Sequence, residues 1–485
     1  MRVTRSASIA VALPVALLVL AAAGLWLVLG AGGGTRTGHV VIGGVPMVEV
    51  HPRVAPGERR PGVVVAHGFA GSARLMRPFA DTLAAHGYVV VLPDFDGHGA
   101  SRRPLPRDDA ADTVALQRDL DLAMTLLRVQ PDVDPARIAL VGHSMGAAAV
   151  TRYAAAHPEV GATVAISLPG GATGPVDNLL LLVGGLELPG FHAAAAAAGE
   201  RGGRHDAVVT VPGVEHISIL FAPRTHRETA GWLDEAFGGP PQPGPLPFPA
   251  RRVLGAAVLM AALAIGVIPL ARLLFGPPAG KWPRFDRPLI GRAGGVAGVA
   301  AILGALIAPF LPSARLPLSL GGYVVGLASV TGAVVIAYTW RNRKPETFRH
   351  AFAAPVLAVY AAIAVAIPLH LGLTYAIPGG SRWVLLVAVW AGFAILAYGG
   401  ERLAYGNSFG VLAVSAVTVV ALTAAAVAGL TSGFVLLVGP LLAVLLLWQA
   451  LWSAVLNRFA APRWLIAAAG SLLVAWPIAT ALPTL

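Results

Sequence analysis

The chain contains long apolar runs at its start and throughout its second half. An apolar run from Ile9 to Leu29 follows Arg2 and Arg5. Beyond Arg251, eight more runs lie near residues 253–275, 290–312, 317–339, 350–372, 382–398, 409–430, 433–456 and 463–482. A helix needs about 20 apolar residues to cross a bilayer. The pattern therefore predicts one N-terminal membrane helix and an all-α C-terminal bundle of about eight membrane helices.

The first run is longer than the apolar core of a cleaved signal peptide, which has about 7–15 residues. This length favours a signal anchor, and the small residues around Ala31 leave cleavage as the alternative.

The region from about Gly34 to Pro240 has a different pattern, with acids, bases, histidines and glycines mixed as in a globular enzyme. After Phe237 the sequence reads Gly-Gly-Pro-Pro-Gln-Pro-Gly-Pro-Leu-Pro-Phe-Pro. Such a segment forms neither a helix nor a sheet ladder and marks a domain boundary. We therefore predict four parts: a signal anchor (1–33), a globular domain (34–238), a Pro/Gly linker (239–250) and a membrane domain (251–485).

Composition agrees with this division. Hydrophobic residues make up 56% of the 485 residues and charged residues 12%, against about 45–50% and about 25% in soluble domains. The formal net charge of +11 does not indicate nucleic-acid binding, because the basic residues of the second half lie in short clusters between apolar runs. Without cysteine the chain has no disulfide and no thiolate metal site. We predict no cofactor and no metal.

The basic clusters also predict an orientation. They follow the odd-numbered C-terminal runs, whereas the alternate loops contain only Arg315 and Arg382. The clustered residues are Arg272, Lys281, Arg284, Arg287, Arg341, Arg343, Lys344, Arg349, Arg402, Arg458 and Arg463. Basic loops are cytoplasmic, and Arg2 and Arg5 put the N-terminus on the same side. We predict a multi-pass plasma-membrane protein with a cytoplasmic N-terminus and an extracytoplasmic 34–238 domain.

The acids of the membrane half, Asp286, Glu346 and Glu401, fall in predicted loops. Ion-coupled transporters usually need charges inside the bilayer. This interpretation therefore argues against transport.

A motif for nucleophilic chemistry lies in the globular domain. A β-rich run from Arg137 enters Gly142-His-Ser-Met-Gly146, and an alanine-rich helix leaves it. A serine on such a sharp strand-to-helix turn is exposed for attack, and the glycines allow strand and helix to approach closely. Ser144 is the candidate nucleophile.

The amide of Met145, just after Ser144, is a candidate oxyanion donor. Upstream, an apolar strand runs into His67-Gly68-Phe69, where the amide of Phe69 is the second candidate donor. Asp94, His98 and Ser101, in the loop after the next strand, are interpreted as fixing that loop.

Together, His67-Gly-Phe69, Asp94-Phe-Asp-Gly-His-Gly-Ala-Ser101 and Gly142-His-Ser-Met-Gly146 resemble the α/β-hydrolase superfamily, in particular its serine aminopeptidase-like and dienelactone hydrolase-like branches. The resemblance covers about Val40 to Phe237. It implies a mostly parallel sheet flanked by helices and a triad in the chain order Ser, acid, His. Many relatives insert a helical lid between the strands at 162–168 and 178–183, and this chain does not. We therefore expect an open site, or one covered by the membrane domain.

The resemblance also guides the choice of base and acid. His216, after the strand that begins at Ala207, resembles the family's last-strand histidine and is the candidate base. His157, His192, His205 and His226 are predicted at the surface. Glu187 occupies the position where the family usually carries aspartate and is the favoured acid, with Asp177 and Asp206 as rivals.

These residues predict a Ser-His-acid hydrolase that cleaves an ester, thioester or amide through an acyl-enzyme. The predicted partners are a small-molecule or lipid acyl substrate and the membrane lipids. One alternative is an acyltransferase that uses a lipid or envelope acceptor. Another is a non-catalytic membrane scaffold or transport component with a degenerate hydrolase domain.

Overall fold

A computed structural model describes residues 2–53, 59–170, 174–201, 203, 205–238, 246–342, 348 and 350–485. The chain divides into two compact units. The helical unit comprises Met1–Gly24, Ala257–Leu369 and Ala376–Leu482, and the sheet unit comprises Leu25–Ala256, His370–Tyr375 and Pro483–Leu485.

The sheet unit is built on one eight-stranded sheet. Its strands are β1 (Thr35–Ile42), β2 (Val45–Pro52), β3 (Arg60–Ala66), β4 (Val89–Pro93), β5 (Val133–His143), β6 (Ala162–Ile166), β7 (Leu179–Gly184) and β8 (Ala207–Val211). The order is β1-β2-β4-β3-β5-β6-β7-β8. Strand β2 pairs antiparallel with β1 and β4, and all other neighbours are parallel.

Helices cover the sheet in the way that a parallel sheet requires. They are α2 (Arg77–Ala85), α3 (Asp109–Val129), α4 (Met145–Ala156), α5 (Pro189–Glu200) and α6 (Pro223–Ala236). Side chains of β3 alternate between two cores: Val64 packs in one with Leu120 of α3, and Val63 and Val65 pack in the other with Phe79 of α2. This alternation follows from the period of two in a strand. A mostly parallel sheet flanked by helices confirms the predicted fold class.

The parallel strands place several loops at one edge. The carboxyl ends of β3, β5, β6, β7 and β8 point the same way, and ligand sites in open α/β sheets lie outside these ends. The loops that carry the candidate chemical residues follow four of these strands, β3, β5, β7 and β8.

The helical unit contains most of the membrane helices. Its chain enters through α1 (Arg2–Leu29) and continues through α7 (Arg251–Phe275), α8 (Arg287–Ile307), α9 (Gly321–Tyr338), α10 (Ala353–Gly372), α11 (Arg382–Leu403), α12 (Ser408–Val427), α13 (Val435–Arg458), α14 (Arg463–Gly470) and α15 (Leu472–Ala481). Within the described residues, nine helices are long and apolar enough to cross a bilayer, with α14 and α15 counted as one span. They correspond to the nine apolar runs of the sequence, and this is the organisation of a multi-pass membrane protein.

The prediction that the acids of the membrane half lie in loops is wrong for Glu401. Helix α11 continues past the apolar run and includes Glu401 in its last turn, where the side chain is buried. Its carboxylate accepts hydrogen bonds from Ser453 and from Asn457 Nδ2 (3.1 Å) on α13. These neutral donors allow the acid to be buried. Because Glu401 lies within a candidate span, the argument against transport from a lack of acids in the spans does not hold.

The other charged residues that were predicted in loops of the membrane half have different positions. Asp286 caps α8, its Oδ1 accepting from the amide of Leu289 (3.2 Å). Arg402, predicted in a loop, lies in the last turn of α11, where it donates to the carbonyl oxygen of Thr339 (2.8 Å). Glu346, Arg343, Lys344, Arg349 and most of the 239–250 linker lie outside the described residues.

Two arginines at the start of α7 bind the end of α1 inside the sheet unit. Arg251 Nε donates to the carbonyl oxygen of Leu27 (3.1 Å). Arg252 Nη2 donates to the carbonyl oxygen of Ala31 (3.0 Å) and to Asp81 Oδ2 of α2 (2.9 Å). A helix leaves its last carbonyl groups without intrahelical partners, so these arginines complete the hydrogen bonding at the end of α1.

Candidate active site

Ser144 occupies a strained turn between β5 and α4. Its backbone has φ 52° and ψ −117°, a conformation that is uncommon for residues other than glycine. A Cβ on Gly142 would lie 2.3 Å from the carbonyl oxygen of Gly146, and a Cβ on Gly146 would lie 2.5 Å from that of His67. The turn therefore requires glycine at both positions, as the sequence motif predicted.

The structure brings Ser144 and His216 together. His216 follows β8, and its Nε2 lies 3.1 Å from Ser144 Oγ, so the hydroxyl can donate its proton to the ring. Both side chains are buried. This is the arrangement that a nucleophile and its general base need.

Glu187 lies on the other side of His216. Its Oε1 is 3.2 Å from His216 Nδ1, and the carboxylate is buried in the loop after β7. When Nδ1–H donates to Glu187, Nε2 is left as an acceptor for the serine hydroxyl. The carboxylate therefore fixes the tautomer that a general base requires.

The rival acids lie elsewhere in the sheet unit. Asp206 precedes β8, at the opposite end of that strand from His216, and accepts hydrogen bonds from the amides of Leu179 (3.2 Å) and Gly203 (2.7 Å). Asp177 precedes β7, so it also lies at the amino-terminal end of its strand, and its side chain is exposed. Of the three candidates, only Glu187 is hydrogen-bonded to His216.

Sequence reasoning missed Ser167, which completes the surroundings of the acid. Ser167 directly follows β6, is fully buried, and donates its hydroxyl to Oε1 of Glu187. Its backbone has φ 56°, and its amide donates to the carbonyl oxygen of Leu182 (2.7 Å). No motif marks this serine, and its position just after a buried strand was the one available signal.

His143 was also missed, although it lies within the nucleophile motif. Its Nε2–H donates to the carbonyl oxygen of His216 (2.9 Å), and the two ring centroids are 4.8 Å apart. Burial, followed by the charge of His216, lowers the pKa of His143 to about 3. The ring is therefore neutral near neutral pH, and it holds the backbone of the loop that carries the candidate base.

The loop after β3 packs against the nucleophile turn. A Cβ on Gly68 would lie 2.8 Å from His143 Nδ1 and 3.1 Å from Ser144 Cβ. His67 fixes this loop by donating from Nδ1 to the carbonyl oxygen of Gly68 (2.8 Å) and accepting at Nε2 from the amide of Phe95 (3.1 Å). Burial lowers the pKa of His67 to about 4, so this neutral tautomer persists.

The two candidate oxyanion donors flank this contact. Phe69 follows Gly68, and Met145 is the first residue of α4, where helical amides have no intrahelical partner. Their role as donors to an oxyanion stays a prediction.

Asp94 connects the loop after β3 with its own loop after β4. Its Oδ1 accepts from the amide of Ala73 (2.7 Å) and its Oδ2 from the amide of Ala100 (2.9 Å). These bonds agree with the interpretation that Asp94 holds a loop. Across the part of the chain that the structure describes, no group of three or more His, Cys, Asp or Glu side chains could hold a metal ion.

Comparison with known proteins identifies the fold family. Residues 57–182 match the family model described as serine aminopeptidase, S33. This region is an α/β-hydrolase. The match includes Ser144 and ends before Glu187 and His216, so the assignment of acid and base depends on the geometry.

Individual relatives have varied names. The chain is 32% identical over 134 residues to a thermostable monoacylglycerol lipase of Bacillus sp. (strain H-257), covering 27% of this chain and 48% of that protein. It is 36% identical over 110 residues to epoxide hydrolase A of Mycobacterium tuberculosis, covering 22% of this chain and 32% of that protein. The chain thus spans less than half the length of either curated relative.

Among solved structures, a ferulic acid esterase from Streptomyces cinnamoneus aligns with a TM-score of 0.36 and 18% identity, covering 43% of this chain and 91% of that one.

Proposed function

We propose that the chain is a membrane-anchored serine hydrolase that cleaves a carboxylic ester, or a related thioester or amide, by way of an acyl-enzyme. The observation that carries the proposal is the 3.1 Å distance between Ser144 Oγ and His216 Nε2 on a strained strand-to-helix turn. The S33 family match over the nucleophile region supports it.

The proposed mechanism uses only side chains and amides of this chain. His216 removes the proton of Ser144 as Oγ attacks the substrate carbonyl, and Glu187 stabilises the imidazolium that forms. The amides of Phe69 and Met145 stabilise the oxyanion. His216 then protonates the leaving group, and water, activated by the same histidine, releases the acid from Ser144.

The chemistry of the nucleophile favours acyl transfer over epoxide opening. A serine that opened an epoxide would form an ether, which water activated by histidine does not cleave. A serine ester is hydrolysed readily by the same histidine. For this reason the name of the mycobacterial relative does not transfer to the proposed reaction.

Apolar side chains beside the acid support an acyl substrate with a hydrophobic chain. Leu186 and Leu188 flank Glu187 and are 67% and 48% exposed. Anchoring in a membrane would bring these side chains near lipid-borne esters, and the monoacylglycerol lipase among the relatives is named for such a substrate.

We also propose that the 34–238 domain is extracytoplasmic. Basic residues concentrated after the odd-numbered C-terminal spans support this orientation, because such loops are retained in the cytoplasm.

Fluorophosphonate labelling of the purified full chain in detergent tests the hydrolase proposal. We expect covalent labelling and hydrolysis of p-nitrophenyl acyl esters by the wild type, and neither by Ser144→Ala. Equal labelling of the two proteins would contradict the proposal and favour a non-catalytic scaffold. Turnover with an added alcohol but not with water would favour the acyltransferase alternative.

A further inference from the structure

Ser167 is a buried hydroxyl that the proposed mechanism does not use. It lies at the end of β6, on a different element from each member of the proposed triad, and its hydroxyl donates to Oε1 of Glu187. The same oxygen accepts from His216 Nδ1 at 3.2 Å. One carboxylate oxygen therefore accepts hydrogen bonds from both the Ser167 hydroxyl and the candidate base His216.

We propose that Ser167 is a positioning residue that fixes the carboxylate of Glu187 for its bond to His216. The inference rests on the proposed function, because it assigns a role to Glu187 in that reaction. Ser167 would act through Glu187 without contacting the substrate.

The environment of Glu187 explains why such a residue is needed. Glutamate has one more rotatable bond than aspartate, so its carboxylate has more conformational freedom to lose. Its other oxygen, Oε2, is buried and has no hydrogen-bond partner among the described residues. The orientation of the carboxylate is therefore set by the two bonds at Oε1.

The backbone at Ser167 offers a clean way to remove the hydroxyl. A residue at φ 56° is in the left-handed region, which glycine adopts at least cost. Ser167→Gly therefore deletes the donor and relieves backbone strain at once. A purely conformational role of this residue would be preserved or improved by glycine, whereas a positioning role would be lost.

We expect Ser167→Gly to lower kcat/KM about 10- to 100-fold with KM nearly unchanged, the size of effect that misplacing a catalytic group produces. Without the hydroxyl the carboxylate of Glu187 keeps only its bond to His216 and is free to turn away from it. The loss should therefore appear in kcat, because Ser167 does not contact the substrate.

The matched control is Thr163→Val. Thr163 lies on the same strand, is fully buried, and has a hydroxyl with no hydrogen-bond partner among the described residues. We expect wild-type kinetics from this variant, because it deletes a buried hydroxyl that contacts no member of the triad.

A double-mutant cycle gives the decisive result. In a Glu187→Ala background, Ser167→Gly should cause no further loss, because its partner is already absent. Wild-type kcat for Ser167→Gly, or an equal loss in both backgrounds, would overturn the inference. Failure of the hydrolase proposal is a separate outcome. It would be seen as fluorophosphonate labelling and ester hydrolysis by Ser144→Ala at the wild-type level.

Discussion

His143 donates its Nε2–H to the backbone carbonyl oxygen of His216 across 2.9 Å. His143 directly precedes Ser144, and His216 Nε2 returns to Ser144 Oγ at 3.1 Å. The two hydrogen bonds and the backbone form a closed ring. The loop that carries His216 is therefore held to His143, the residue next to the nucleophile. Such preorganisation reduces the cost of reaching a reactive geometry.

Replacing His143 by phenylalanine keeps a buried ring and removes the donor to His216. We expect kcat/KM for a p-nitrophenyl ester to fall about 10- to 100-fold with little change in KM, because the loop that carries His216 loses its hydrogen bond to His143. The control is His157→Phe, since His157 stacks on Tyr153 at the far end of α4. Unchanged kinetics in His143→Phe would show that the anchor is dispensable.

Substitutions at Glu187 should separate charge from reach. Glu187→Gln keeps the length and loses the charge that stabilises the imidazolium, and we expect kcat to fall by about 10²- to 10⁴-fold. Glu187→Asp keeps the charge but draws the carboxylate back from its 3.2 Å contact with His216 Nδ1. It should lower kcat less than Glu187→Gln does.

Asp206→Asn serves as the control for Glu187, because Asp206 holds backbone amides away from His216. It should lower the midpoint of thermal unfolding and leave kcat unchanged. A larger kcat loss in Asp206→Asn than in Glu187→Gln would make Asp206 the acid.

Most of the fold and the candidate nucleophile Ser144 could be predicted from local sequence patterns. The resemblance to a family pointed to His216 and favoured Glu187, with Asp177 and Asp206 left as rival acids. Glycines around Ser144 and the strand before His216 are readable without knowledge of contacts. Ser167 and the hydrogen bond of His143 could not be predicted, since they depend on which strands become neighbours in the sheet.

Burial in the folded chain was harder still to predict. His226 was expected at the surface and is fully buried, with Nδ1 2.8 Å from Thr82 Oγ1 and Nε2–H donating to the carbonyl oxygen of Leu220. The sequence shows only that residue 226 is a histidine. It does not show which other elements supply its hydrogen-bond partners. Glu401 escaped prediction for the same reason.

Acid should destabilise the sheet unit through its buried histidines. Burial lowers the pKa of His226 to about 4, against 6.5 for an unperturbed histidine. Between these values the unfolded chain binds more protons, so stability falls as pH drops below about 6.5, by up to about 1.4 kcal/mol per pH unit for this residue. His226→Gln should therefore show a shallower decline of the unfolding midpoint between pH 6.5 and 4.5.

The exposed His205 provides the comparison for that experiment. His205→Asn, which tolerates the positive φ of 63° at this position, should decline with pH as the wild type does. If His226→Gln and the wild type decline in parallel, His226 does not contribute to the acid sensitivity.

Glu401 should stabilise the helical unit through hydrogen bonds. Glu401→Gln retains one acceptor oxygen for Asn457, and its new amide group can donate to Ser453 Oγ. We expect it to change the unfolding free energy by less than about 1 kcal/mol. Glu401→Ala leaves the buried hydroxyl of Ser453 without its acceptor, whereas Asn457 keeps its bonds to Ser453. This variant should therefore cost about 1–3 kcal/mol. Thermal unfolding in detergent measures both, and equal midpoints would contradict the proposed bonds.

The absence of cysteine makes the orientation directly testable. A membrane-impermeant thiol reagent applied to intact cells should label Val114→Cys, on an exposed position of α3, and should not label Lys281→Cys in the basic loop after α7. A permeant reagent should label both. The reverse pattern would place the hydrolase domain in the cytoplasm.

The bonds that Arg252 makes to Ala31 and Asp81 bear on when the chain could be processed. A leader peptidase needs an extended substrate backbone with accessible carbonyl groups. In the folded chain the carbonyl of Ala31 is already bound to an arginine more than 200 residues away in sequence. Cleavage near Ala31 in the folded chain would first have to break this bond. We therefore expect any processing there to take place before α7 has folded onto the end of α1.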